Sequence, residues 1–165
     1  MDVVMVFTSK TLETMIDEGG CGHWNASRKR LDKCSYVIAT KSNTLRERFP
    51  GNTDIKQDSA FLIGKISNIG ASPNGKRSLI QLSQYAEFNI PNAWVGNRNP
   101  VTYTDINSFQ SEHKFDITSL EWLEFPTKET NTISDIKPLT INEAKEGIAK
   151  TLGIDSSCIE IQIKT

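Results

Sequence analysis

Two stretches bring aromatic, amide and hydroxyl side chains together at short spacing. One is Gly20-Cys21-Gly22-His23-Trp24-Asn25-Ala26-Ser27; the other runs from Phe88 through Trp94 to Tyr103. Each sets a tryptophan in a segment rich in Asn, Gly or Ser, which reads as a loop. A loop indole flanked by amides and hydroxyls offers a π face for stacking and polar groups for reading an edge. The competing account is that each tryptophan plugs one end of a barrel. Between them lie Arg28, Lys29, Arg30 and Lys41, cations of the kind that neutralise phosphates without choosing a sequence.

Other chemistries lack the residues they need. Cys21, His23 and Cys34 supply three zinc donors, but a closed site needs four in a tetrahedron, and neither a CxxC pair nor an obvious fourth ligand is present. They read as ordinary thiols and a surface imidazole, so no metal is expected. Glu143-Ala144-Lys145, with Asp135 upstream, matches half of a nuclease pattern, yet it begins a well-capped helix rather than lying on a strand edge. A Gly-rich phosphate loop, a nucleophile elbow and a His-Glu-x-x-His helix are all missing, and there are only two histidines. The sequence gives no reason to assign catalytic residues or a cofactor.

The 165 residues fit a single domain spanning the whole chain, with 37% hydrophobic and 24% charged residues. No apolar run approaches the ~20 residues of a membrane span, and Met1 to Phe7 lacks the flanks of a signal peptide. Three cysteines are an odd number and too few for a disulfide framework, which points to reduced thiols in a cytoplasm. Net charge is only −1, but it is unevenly spread. From Asn25 to Arg77 there are eleven Lys and Arg against four Asp and Glu; from Glu112 onward there are ten acidic and six basic residues. That asymmetry suits a basic face, or simply a solvated surface.

The elements that must position these groups follow from apolar patterning. Asp2 to Phe7 predicts a buried strand, followed by a short helix carrying Leu12, Met15 and Ile16, capped by Thr8 or Ser9 and stopped at Gly19-Gly20. A loop at 21–25 and a short basic helix through Arg28 and Leu31 lead to a strand from Ser35 to Thr40. Lys41 to Ser59 reads as a loop. Ala60 to Ile69 predicts a strand in which Gly64 marks a bulge or a close approach. Pro73-Asn74-Gly75 turns the chain so that Arg77 to Phe88 pairs back antiparallel. Asn89 to Tyr103 reads as irregular and Leu120 to Phe125 as a short strand or turn. Thr140-Ile141-Asn142-Glu143 is a capping box, with Ile141, Ala144, Ile148 and Leu152 as one stripe and Gly153 as the stop. Ile159, Ile161 and Ile163 alternate as a last strand. The sum is an α+β fold with a small, curved, barrel-like, mostly antiparallel sheet and two to three helices.

The order of parts resembles a known family. Phe7-Thr8-Ser9-Lys10 ends the first strand; Trp24-Asn25-Ala26 and then Arg30-Leu31-Asp32 follow the first helix. Next come Tyr36-Val37-Ile38-Ala39-Thr40 and Phe61-Leu62-Ile63-Gly64-Lys65-Ile66, and Asn97-Arg98-Asn99-Pro100-Val101 follows the second tryptophan. Over residues 2–103 this resembles the YTH and EVE branches of the PUA-like superfamily, small barrels that bind nucleic acid carrying modified bases. The resemblance implies Trp24 as the first wall of an aromatic base cage and Trp94 as the second. It implies that Ser9, Lys10 and Asn25 contact the base or its backbone, with Asn97 and Arg98 completing the ligand-binding set. The loop from Lys41 to Ser59 and the acidic region after Glu112 depart from the family's pattern. The expected partner is nucleic acid, DNA or RNA, and not a membrane. The alternatives are a nuclease or base-processing enzyme using the same pocket, and a protein-interaction domain working through its acidic half.

Overall fold

The apolar run at the start of the chain becomes β1 (Val3–Thr8), with Val3, Val4 and Val6 fully buried. A strand with no polar face belongs inside a sheet, and β1 lies between a parallel neighbour, β3 (Tyr36–Lys41), and an antiparallel one, β6 (Val101–Thr104). The computed structural model of the chain describes residues 2–44, 54–72, 75–126 and 140–162. Contacts divide the chain into two compact units, Met1–Lys128 and Glu129–Thr165.

In the first unit the strands, among them β2 (Cys21–Trp24), form one seven-stranded mixed sheet in the order β2-β5-β4-β3-β1-β6, with β7 (Leu123–Glu124) also paired to β5. The long hairpin of β4 (Ala60–Ala71) and β5 (Ser78–Ile90) dominates it. Three register irregularities along that pairing bend the two strands and curl the sheet into a half-barrel. Gly64 fits the close-approach expectation, since a Cβ there would meet the Leu82 side chain at 2.7 Å. Among the described residues all pairs except β1–β3 are antiparallel.

The sheet buries both faces. Val4, Val6, Val37, Leu62, Ile80 and Leu82 pack on one side with Met15 of α1 (Leu12–Glu18) and Leu31 of α2 (Arg28–Leu31). On the other, Val3, Met5, Ile38, Ile63 and Ala86 pack with Trp94 and with Phe109 of α3 (Ile106–His113). The cap of α1 differs from the expectation. Thr11, not Thr8 or Ser9, accepts from the Thr14 N–H at 3.2 Å, while the Thr8 hydroxyl accepts from the Lys10 N–H.

In the second unit the capping box forms as its residues require. Thr140 Oγ1 accepts from the Glu143 N–H, and Glu143 accepts from the Thr140 N–H at 2.7 Å, which holds its carboxyl below the usual carboxylate range. The helix, α4 (Ile141–Leu152), ends at Gly153 in the left-handed conformation. The expected last strand does not form among the described residues. Ser156–Cys158 is a 3-10 turn and Ile159 to Gln162 pair with no strand, because alternation alone cannot make a strand without a ladder partner; Ile163 lies outside the described residues. Four α-helices occur among the described residues, α3 being the one the sequence reading left out. None of the helices there is long and apolar enough to cross a membrane.

Candidate functional site

The only parallel pair among the described residues sets up the site. Because β1 and β3 run the same way, the segments leaving them emerge at the same edge, and the Ser42 N–H donates to the Thr8 carbonyl at 2.8 Å. The strand ends thus deliver Phe7, Thr8, Ser9 and Lys10 on one side and Ser42 and Thr44 on the other to a pocket of about 730 Å³.

A correction to the loop reading supplies the next wall. Cys21–Trp24 is not a loop but β2, paired antiparallel with β5. Two glycines permit this pairing. A Cβ at Gly20 would lie 2.5 Å from the Ile80 carbonyl oxygen, and one at Gly22 would lie 2.6 Å from the Leu79 side chain. The register shifts between Gly22 and Trp24, and both His23 and Trp24 line the pocket. Trp24 is half-buried, packed partly against the first core.

Charge is concentrated in the same place. The Lys10 ammonium bridges the Glu18 carboxylate and the Gly22 carbonyl, tying the end of β1 to α1 and β2. His23 Nε2 stands 3.9 Å from the same Glu18 oxygen, and Arg77 Nη1 donates to the His23 carbonyl at 3.4 Å. Arg98, Asn97 and Pro100 close the far side, the Phe7 N–H donating to the Pro100 carbonyl at 2.8 Å. Lys10, Arg77 and Arg98 against Glu18 make the lining cationic.

Burial pushes the Cys21 thiol up to about 12, outweighing the opposite pull of the Trp24 N–H and Lys10. That indole N–H is shielded from solvent and meets no acceptor at good hydrogen-bond geometry among the described residues, so its interaction with the thiol is weak. The His23 Nδ1 atom is shielded and unpartnered in the same sense. Cys34, three residues after α2, is buried in the same core, its thiol donating to the Arg30 carbonyl. Among the described residues no three His, Cys, Asp or Glu side chains converge on a common point.

Of the ligand-binding residues expected from sequence, the pocket brings together Ser9, Lys10, Trp24, Asn97 and Arg98. Asn25 is exposed and does not line it. Trp94 is 6% exposed and stacked flat on Phe7, so it backs the wall instead of forming it. Of the expected phosphate contacts, Arg28, Lys29 and Arg30 sit exposed on α2 and do not line the pocket. Arg28 pairs with Asp32, and the Arg30 guanidinium lies 3.8 Å from the centre of the Tyr103 ring. Lys41 is only 3% exposed, which removes it from a phosphate surface. The sequence reading missed Thr8, Glu18, Ser42, Thr44 and Arg77 as pocket residues; isolated polar and charged side chains carry no spacing signal, and sheet pairing brings Ser42, Thr44 and Arg77 to the end of β1. Compared with protein-family models, with curated proteins and with solved structures, the chain matches none.

Proposed function

We propose that this pocket binds a modified nucleobase turned out of a DNA or RNA strand, with the strand's phosphates meeting the cationic rim. The observation that carries the reading is the convergence of a half-exposed tryptophan with Arg77 and Arg98 on one pocket large enough for a nucleotide. A stacked base gains ~1–3 kcal/mol from an indole face, and Asn97 with the hydroxyls of Ser9 and Thr44 reads its edge. The arginines replace the α2 cations as the phosphate contacts nearest the base. Pocket and family resemblance point the same way, although they rest on different residues for the second wall: Phe7 takes the place expected for Trp94.

The test compares short oligonucleotides that differ only in one modified base. Wild-type protein binds the modified strand more tightly, and affinity falls with salt. Trp24→Ala loses ~1–3 kcal/mol on the modified strand and keeps its fold. A destabilised Trp24→Ala protein whose discrimination is unaltered sinks the reading.

A further inference from the structure

We infer, on the strength of the nucleobase reading above, that the base taken here carries a bulky hydroxylated substituent, the size and chemistry of a hexose, rather than a methyl group alone. Volume is the first argument. About 730 Å³ equals roughly two dozen waters at ~30 Å³ each. A pyrimidine ring against Trp24 together with its own deoxyribose leaves room over, and a methyl group adds little.

The lining is the second argument. A pocket selecting a methyl group closes on it with apolar side chains, because the gain comes from removing that group from water. Here the apolar lining side chains are Trp24, Phe7 and Pro100. The strand ends instead contribute Thr8, Ser9, Ser42 and Thr44, four hydroxyls, joined by the Asn97 amide and the Glu18 carboxylate. Hydroxyls both donate and accept, so such a wall is matched by a polyol, whose groups do the same. Ser42 Oγ and Thr44 Oγ1 lie 2.9 Å apart and Ser42 Oγ also accepts from the Thr44 N–H at 3.2 Å, so the pair retains one O–H and two lone pairs to share with a ligand. The cationic balance of the lining disfavours an aminoalkyl substituent and leaves a neutral sugar unopposed.

The full chain is titrated with single-stranded oligodeoxynucleotides that share one sequence and differ at one cytosine. That base is unmodified, methylated, hydroxymethylated or glucosylated through the hydroxymethyl group. Affinity rises in that order, the glucosylated strand binding about tenfold or more tighter than the methylated one. Ser42→Ala with Thr44→Val shrinks that ratio toward one; if the pair unfolds the protein, Thr44→Val alone, at an exposed position, carries the comparison. A preference for the methylated strand, or equal affinity for the three modified strands above the unmodified one, overturns the substituent and leaves the nucleobase reading standing; equal affinity for all four strands overturns both. Absence of salt-dependent binding to every strand overturns both.

Discussion

Trp94 lies flat against Phe7, with ring centroids 5.0 Å apart and planes 7° from parallel. Phe7 belongs to the pocket wall and Trp94 to the core beneath it, so the rigidity of the wall rests on a side chain no ligand touches. Trp94→Ala therefore opens a cavity at a nearly closed site and lowers stability by ~3–5 kcal/mol in urea unfolding. Trp94→Phe keeps a stacked partner for Phe7 and loses less. A loss below ~1 kcal/mol for the alanine variant contradicts this placement.

Arg77 and Arg98 reach the pocket from the β4–β5 hairpin and from the segment before β6. If each meets one phosphate, removing either lowers the slope of log affinity against log salt by about 0.7, the value for single strands. Arg28→Ala and Lys29→Ala, on α2 away from the pocket, change that slope less. Binding measured from low to moderate salt gives the four slopes, and a larger change at α2 moves the strand's path there.

The strands and the capped helix were legible because their causes are local. An unbroken apolar run makes β1, and Thr140 with Glu143 announces α4. What escaped was non-local. Cys21–Trp24 has one glycine within it, another just before it, and little strand propensity, and it becomes a strand only because β5 accepts its backbone at close range. Ile159 and Ile161 show the converse, an alternating pattern without a ladder partner among the described residues. The site divides the same way. Trp24 stands out through its own flanking residues, and Ser9 and Lys10 through the family resemblance, whereas Ser42, Thr44 and Arg77 reach it through sheet pairing. Trp94 looked like a loop indole because nothing in its own segment announces that Phe7 will cover it.

Cys21 should be unreactive while the protein is folded. Burial raises its pKa from 9.0 to about 12, so at neutral pH the thiolate that reacts with alkylating agents is scarce and enclosed. Cys34 is buried too, its pKa raised by burial first and Asp2 second; Cys158 is exposed. Native protein is expected to titrate one thiol rapidly and all three after unfolding. The pH dependence has a definite sign. With the folded pKa above the unfolded one, the protonated thiol's contribution to stability is complete below pH 9.0 and is lost as pH rises toward 12. Replacing Cys21 with Ala should remove that component of the alkaline decline, and rapid native alkylation of Cys21 would place it outside the core.

Lys10 was expected to touch the ligand, but its geometry gives it a positioning role as well. Its ammonium ties the Glu18 carboxylate to the Gly22 carbonyl, two residues before Trp24. Lys10→Met preserves the aliphatic stem and removes the charge, leaving Glu18 with His23 Nε2 at 3.9 Å and Gly22 without this donor. The pair is partly exposed, with side-chain accessibilities of 16% and 26%, so solvent screens part of the loss and ~1 kcal/mol is expected. The more telling readout is local. With the Gly22 carbonyl released, the Trp24 indole loosens, its emission shifts to the red, and affinity for modified and unmodified strands falls together. Glu18→Gln alone, which keeps the Lys10 ammonium, separates the two contacts. If the ion pair carries the effect, Glu18→Gln reproduces the red shift; if the Gly22 bond carries it, Glu18→Gln leaves the emission unchanged. A Lys10→Met protein with unchanged emission and unchanged melting temperature would remove Lys10 from the support of the tryptophan wall.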